Sequence, residues 1–150
     1  MRKAYLRIFL AFGLFAILAA AAPARAQSVY EQTASIPFSF NVGDKSFPAG
    51  DYKLRQLNPA SDRVALEIKS ADGRAGKVTL TSFVRKGKAT EGARLVFTRY
   101  DEQYFLTEVW TPALGAGLRL PTSRSERTLA RKAGERAPER TTVALGTRSR

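Results

Sequence analysis

Among its 150 residues the chain has no cysteine and no histidine, and only one tryptophan and one methionine. Without cysteine there is no disulfide, no thiolate nucleophile and no Cys-ligated metal site. Without histidine the Ser-His-Asp arrangement and His-ligated zinc are excluded, as is the side chain that titrates nearest neutral pH. Any catalysis is left to carboxylate, Lys, Tyr and Ser groups. No catalytic motif or metal-ligand pattern stands out, so a non-enzymatic protein with no cofactor is expected. Long hydrophobic runs are also scarce. The one that exists, residues 8–22, falls short of the roughly 20 residues a membrane-spanning helix needs.

That run is flanked in a telling order. Arg2, Lys3 and Arg7 precede or open it, Pro23 breaks it, and Ala24-Arg25-Ala26 supplies a small-x-small pattern. This is the layout of a secretory signal peptide, which predicts cleavage after Ala26 and a mature chain with no transmembrane span. A lipid-anchored product would need a cysteine at the cut. The expectation is therefore export by the general route to the periplasm or the exterior, soluble or loosely associated with the envelope. The formal charge of +12 divides unevenly along the chain. Four of the basic residues (Arg2, Lys3, Arg7, Arg25) lie in the leader, and residues 27–118 are nearly balanced. Residues 119–150 carry most of the remaining excess.

Residues 34–118 are dominated by short runs with period-two alternation. Ile36, Phe38, Phe40 and Val42 form one apolar set. Tyr52 and Leu54 form a second, Val64, Leu66 and Ile68 a third, and Val78, Leu80 and Val84 a fourth. Leu95 and Phe97 follow, then a run over residues 103–110, with residues 116–120 as a further candidate. Turn signals separate them: Gly43-Asp44, Pro48-Ala49-Gly50, Asn58-Pro59 and Asp72-Gly73. The pattern predicts an all-β domain, a single antiparallel β-sandwich or small barrel of about six to eight strands, over residues 27–121. An outer-membrane barrel is disfavoured by short strands and by charges on both faces of several of them.

After Pro121 the period changes. Ser123-x-x-Glu126 reads as a capping box, predicting a short basic helix over about residues 123–133, ended by Gly134 and Pro138. Residues 139–150 read as disordered, so residues 122–150 form a basic helical and disordered tail.

Two stretches carry a resemblance. Phe38-Ser39-Phe40-Asn41-Val42-Gly43 followed by Phe47-Pro48-Ala49-Gly50-Asp51-Tyr52 is the first. The second runs from Arg99-Tyr100 through Gln103-Tyr104-Phe105-Leu106 to Glu108-Val109-Trp110. Together they resemble a family of small exported bacterial all-β proteins with no assigned activity. The resemblance implies an exported all-β domain and transfers no catalytic or binding residue. In the second stretch Asp101-Glu102 stands where a glycine would ease a tight turn.

Two candidate surfaces follow from the residues themselves. Tyr100, Tyr104, Glu108 and Trp110 offer flat aromatic faces beside an acid, suited to a sugar or a partner protein. Spacing by two places Tyr104, Leu106, Glu108 and Trp110 on one face. An alternative use of the same region is a carbohydrate-active enzyme employing Asp101, Glu102 or Glu108, since glycoside hydrolysis needs paired carboxylates. The second surface is a stripe of Arg124, Arg127 and Arg131, aligned by helical spacing. It suits an anionic or glycan polymer or an envelope protein; export and the lack of a recognition motif disfavour nucleic acid. Taken together, these features suggest an exported binding or structural protein of the cell envelope.

Overall fold

The structure, a computed structural model, describes residues 31–58, 61, 63–84, 92–111, 116–134 and 137–147. The signal peptide over residues 1–26 and its cleavage after Ala26 lie outside these residues. In chain order the strands are β1 (Glu31–Ile36), β2 (Phe40–Val42), β3 (Lys45–Phe47), β4 (Gly50–Gln56), β5 (Ala65–Ser70), β6 (Gly76–Leu80), β7 (Ser82–Val84), β8 (Arg94–Tyr100), β9 (Gln103–Thr111) and β10 (Ala116–Arg119). Helix α1 (Arg124–Ala133) and strands β11 (Glu139–Ala144) and β12 (Gly146–Thr147) follow.

The strands form two sheets, as the alternation predicts, and the arrangement is a sandwich rather than a closed barrel. The first sheet runs β12-β1-β4-β5-β6 and the second β11-β8-β9-β10-β7, with the β2–β3 hairpin attached through a parallel pairing of β2 with β9. Ile36, Tyr52, Leu54, Leu66 and Ile68 of the first sheet meet Leu95, Phe97, Leu106, Val109 and Leu118 of the second in one buried core. Phe40 and Phe47 of the hairpin close its end against Tyr52, whose hydroxyl donates to the Pro48 carbonyl at 2.5 Å. The hairpin turn falls on Gly43-Asp44, where Gly43 takes φ +60°, a conformation glycine adopts without the Cβ clash.

Besides the links that carry the chain from β1 to the β2–β3 hairpin and back to β4, it crosses between sheets at two further places. Thr81 forms one corner between β6 and β7, its amide and hydroxyl both donating to the Val64 carbonyl at 2.9 and 2.8 Å. Leu145, buried in the core, forms the other between β11 and β12. Switching sheets through bends is a recognised way to make sandwich corners. It also adds to the strand count, because the run over Val78 to Val84 is cut at Thr81 into β6 and β7, while β3, β11 and β12 are further short strands. Pairing with β5 decides which side chains of β6 face in. Lys77 and Thr79, not Val78 and Leu80, take the inner positions of β6, and Val78 and Leu80 stand outside at 54% and 57% exposure.

The capping box is realised. The Ser123 hydroxyl accepts from the Glu126 amide at 3.0 Å and α1 begins at the next residue. The expectation of a disordered segment after the helix is corrected, since β11 pairs antiparallel with β8 from Glu139↔Arg99 to Ala144↔Arg94, and β12 pairs with β1. The β-branched Thr141, Thr142 and Val143 favour a strand, and the inward side chains Thr141, Val143 and Leu145 recur at period two, but the templates β8 and β1 are distant in sequence. The two sheets therefore take in β11 and β12, beyond residue 121. No helix among the described residues is long and apolar enough to cross a membrane.

Candidate functional site

The face shared by Tyr104, Glu108 and Trp110 in an ideal strand does not exist, because β9 carries a bulge. Val96 pairs with Glu108 and Phe97 with Leu106, leaving Thr107 as the extra residue. Its hydroxyl fastens the irregularity, donating to the Val96 carbonyl at 3.1 Å and lying 3.3 Å from the Thr98 hydroxyl. One extra residue reverses the facing of everything beyond it. Leu106 and Tyr104 therefore point inward, while Glu108 and Trp110 point to the outer face of the sheet. Tyr104 stacks on Phe38 at 4.1 Å between ring centroids, with the Arg99 guanidinium 5.5 Å from its ring. Tyr100 lies on the outer face, packed edge-on against Phe105 at 6.1 Å.

Trp110 is only 7% exposed. Its strand neighbour on β10 is Gly117, where a Cβ would lie 2.7 Å from the indole, so the ring fills the space a side chain would take. On the other side the Arg94 guanidinium sits 5.0 Å from the ring centroid. The indole N–H donates to Glu108 Oε2 at 3.0 Å, and Arg119 Nη2 donates to Glu108 Oε1 at 3.0 Å. Both oxygens of Glu108 are thus held by charge-assisted or indole donors, as a buried carboxylate requires. The cluster braces β8, β9 and β10 together and offers no open aromatic face.

The remaining carboxylates do not converge on Glu108. Asp101 and Glu102 are exposed at the β8–β9 turn, about six strand residues from it, or roughly 20 Å at strand rise. Paired glycosidase carboxylates stand roughly 5–10 Å apart. Asp101 does line a shallow depression with Tyr100, Arg99, Pro138 and Glu139 beside the end of α1. There Arg99 spans Glu102 at 3.4 Å and Glu139 at 3.2 Å. Among the described residues no group of three or more acids could hold a metal ion.

Helix α1 presents a different picture. It lies over the second sheet with Ser123 and Glu126 buried and Leu129, Ala130 and Ala133 half-buried, a stripe at helical spacing. Burial pushes the Glu126 carboxyl above the usual carboxylate range, against the downward pull of the Ser123 amide and Arg127. The same burial, with Glu126 nearby, raises the Tyr100 phenol. Docking by this stripe leaves Arg124, Arg127 and Arg131 exposed together on the opposite side, joined by Lys132. None of the four makes an ion pair among the described residues.

Beside this stripe runs a groove of about 650 Å³ lined by Asp44, Gln103, Arg124, Ser125, Thr128 and Leu129. Ser125 donates to Asp44 across it at 3.2 Å, tying the helix to the β2–β3 turn. Sequence spacing identified Arg124 but not Asp44, Gln103, Ser125 or Thr128. Residues 44 and 125 are 81 apart and only the fold brings them together. No family model, no curated protein and no solved structure matches the chain.

Proposed function

We propose that the chain is an exported, non-enzymatic binding protein of the bacterial cell envelope, and that the outward face of α1 is the surface that takes its ligand, an anionic surface polymer. The observation that carries this reading is the set Arg124, Arg127 and Arg131, exposed on one side of the helix without ion-pair partners among the described residues. Guanidinium groups match phosphate, sulfate and carboxylate bidentately and remain charged at any physiological pH. Single exposed pairs contribute little, so an extended anion that meets several arginines at once is the ligand such a stripe suits. The adjoining groove adds the Gln103 amide and the Ser125 and Thr128 hydroxyls, groups that hydrogen-bond sugar hydroxyls. A polymer bearing both anionic groups and sugars uses both features.

The test is cosedimentation with envelope fractions at low and high salt, comparing the wild type with the triple variant Arg124→Ser, Arg127→Ser, Arg131→Ser. Binding should fall as salt screens the contact and should be largely lost in the variant at low salt. Equal binding in all four conditions overturns the proposal. Release of reducing sugar from the same fractions would instead favour a carbohydrate-active enzyme.

A further inference from the structure

We infer that the free edge of β6 is a self-association surface, through which a second copy of this chain pairs to join the two five-stranded sheets into one continuous sheet. This inference does not depend on the α1 reading. Strand β6 pairs only with β5 among the described residues, leaving its other edge open. The direction of its backbone groups follows from the bonds flanking it. The Ala75 carbonyl accepts from Ser70 and the Thr81 amide donates to Val64, so odd-numbered residues face β5. The amides and carbonyls of Gly76, Val78 and Leu80 therefore face away from the sheet. Lys45 reaches one of them, the Gly76 carbonyl, at 2.8 Å, and a carbonyl oxygen has a second lone pair to offer.

Natural edge strands are normally blunted by charge, proline or a bulge. Here Lys45 blunts only the Gly76 end, and the rest of the edge shows the solvent two large apolar side chains, Val78 at 54% and Leu80 at 57% exposure, with Phe83 just past the corner 41% exposed. The apolar row continues inward on the same outer face. Leu80 pairs with Ala65, and Leu57, itself 45% exposed, donates its amide to the Ala65 carbonyl.

What selects a second copy is self-complementarity in one register. An antiparallel pairing centred on Val78 sets Val78 against its own equivalent and Leu80 of one copy opposite Gly76 of the other. All three positions carry outward-facing backbone groups, so each such pair is a hydrogen-bonded one. Gly76 has no side chain, which leaves room for Leu80 from the other copy. Such a contact is isologous and closes at two copies. Both copies are strongly basic, so salt should tighten this contact, whereas it weakens polyanion binding.

Sedimentation velocity over a concentration series tests this with the protein as its producing cell delivers it. The wild type should show a monomer–dimer equilibrium that shifts toward dimer with added salt. Val78→Lys, which sets two like charges against each other at the two-fold, should weaken dimerisation by about tenfold or more. Because Val78 is exposed, that variant should melt within a few degrees of the wild type, which separates loss of pairing from loss of fold. Amide exchange at Val78 and Leu80 should slow as concentration rises. A wild type that stays monomeric throughout, a Val78→Lys dimer as tight as the wild type, or slowed exchange that requires some other protein would each overturn the inference.

Discussion

Gly43 shows how one residue can be fixed by two separate constraints. It holds φ +60° as the first of the two residues linking β2 and β3, and an added Cβ would lie 2.6 Å from Lys77 Nζ. That amine donates to the Val42 carbonyl at 2.8 Å, so moving it aside gives up one hydrogen bond. Gly43→Ala should therefore lower stability by about 1–2 kcal/mol, the cost of left-handed backbone for a residue with a Cβ, read as a lower urea midpoint with an unchanged slope. At the β8–β9 turn the equivalent place is held by Asp101, at φ +51°. Aspartate tolerates this region better than most residues, and Arg99 Nε grips the Asp101 carbonyl at 2.7 Å. The first turn was legible together with its conformation, because glycine and a positive φ go together. At the second the turn itself was legible at residues 100–102 but its conformation was not, because Asp101 needs a neighbour to hold it there.

Among the elements, α1 and β9 make opposite cases. The helix was legible nearly to the residue, because Ser123 and Glu126 satisfy the first amides locally and need no tertiary partner. Its docking adds a pH dependence that the sequence does not announce. Burial raises the Glu126 pKa in the folded state above its unfolded value. The folded state therefore binds the proton more tightly, and the associated stability is full below the ordinary carboxylate range and lost as pH rises through the raised value. Relative to Glu126→Gln, which keeps the cap and removes the charge, the wild type should lose stability as pH rises from about 4 to 8. Melting temperatures of the two proteins across that range check this, and parallel curves would count against it. Strand β9 is the reverse case. Its alternation is regular in sequence, yet Thr107 is extruded as a bulge whose hydroxyl bonds lie on β8. Period-two reading has no term for such a residue, so Tyr104 and Trp110 were placed on one face when they occupy two.

For the molecule as a whole, the tail is what joins the sheets on one side. Strand β11 covers the edge of β8 along its length, Leu145 enters the core, and β12 pairs with β1. Deleting residues 139–150 removes all of these together. A buried leucine is worth about 1.5–3 kcal/mol, and domains of this size hold only about 5–15 kcal/mol in total. With no disulfide to compensate, the truncated chain should lose its near-ultraviolet circular dichroism and its cooperative melt at room temperature; a melting temperature equal to the wild type would refute this. The fold class, the Gly43 turn, the capped helix and the arginine spacing could all be read along the chain, because alternation, capping and helical period are local properties. The bulge at Thr107, the bend at Thr81, the register on β5 that turns Val78 and Leu80 outward, the partners of β11 and β12 and the groove between Asp44 and Ser125 belong to the tertiary structure. Each of those depends on a backbone or side-chain partner distant in sequence, and local pattern carries no record of distant partners.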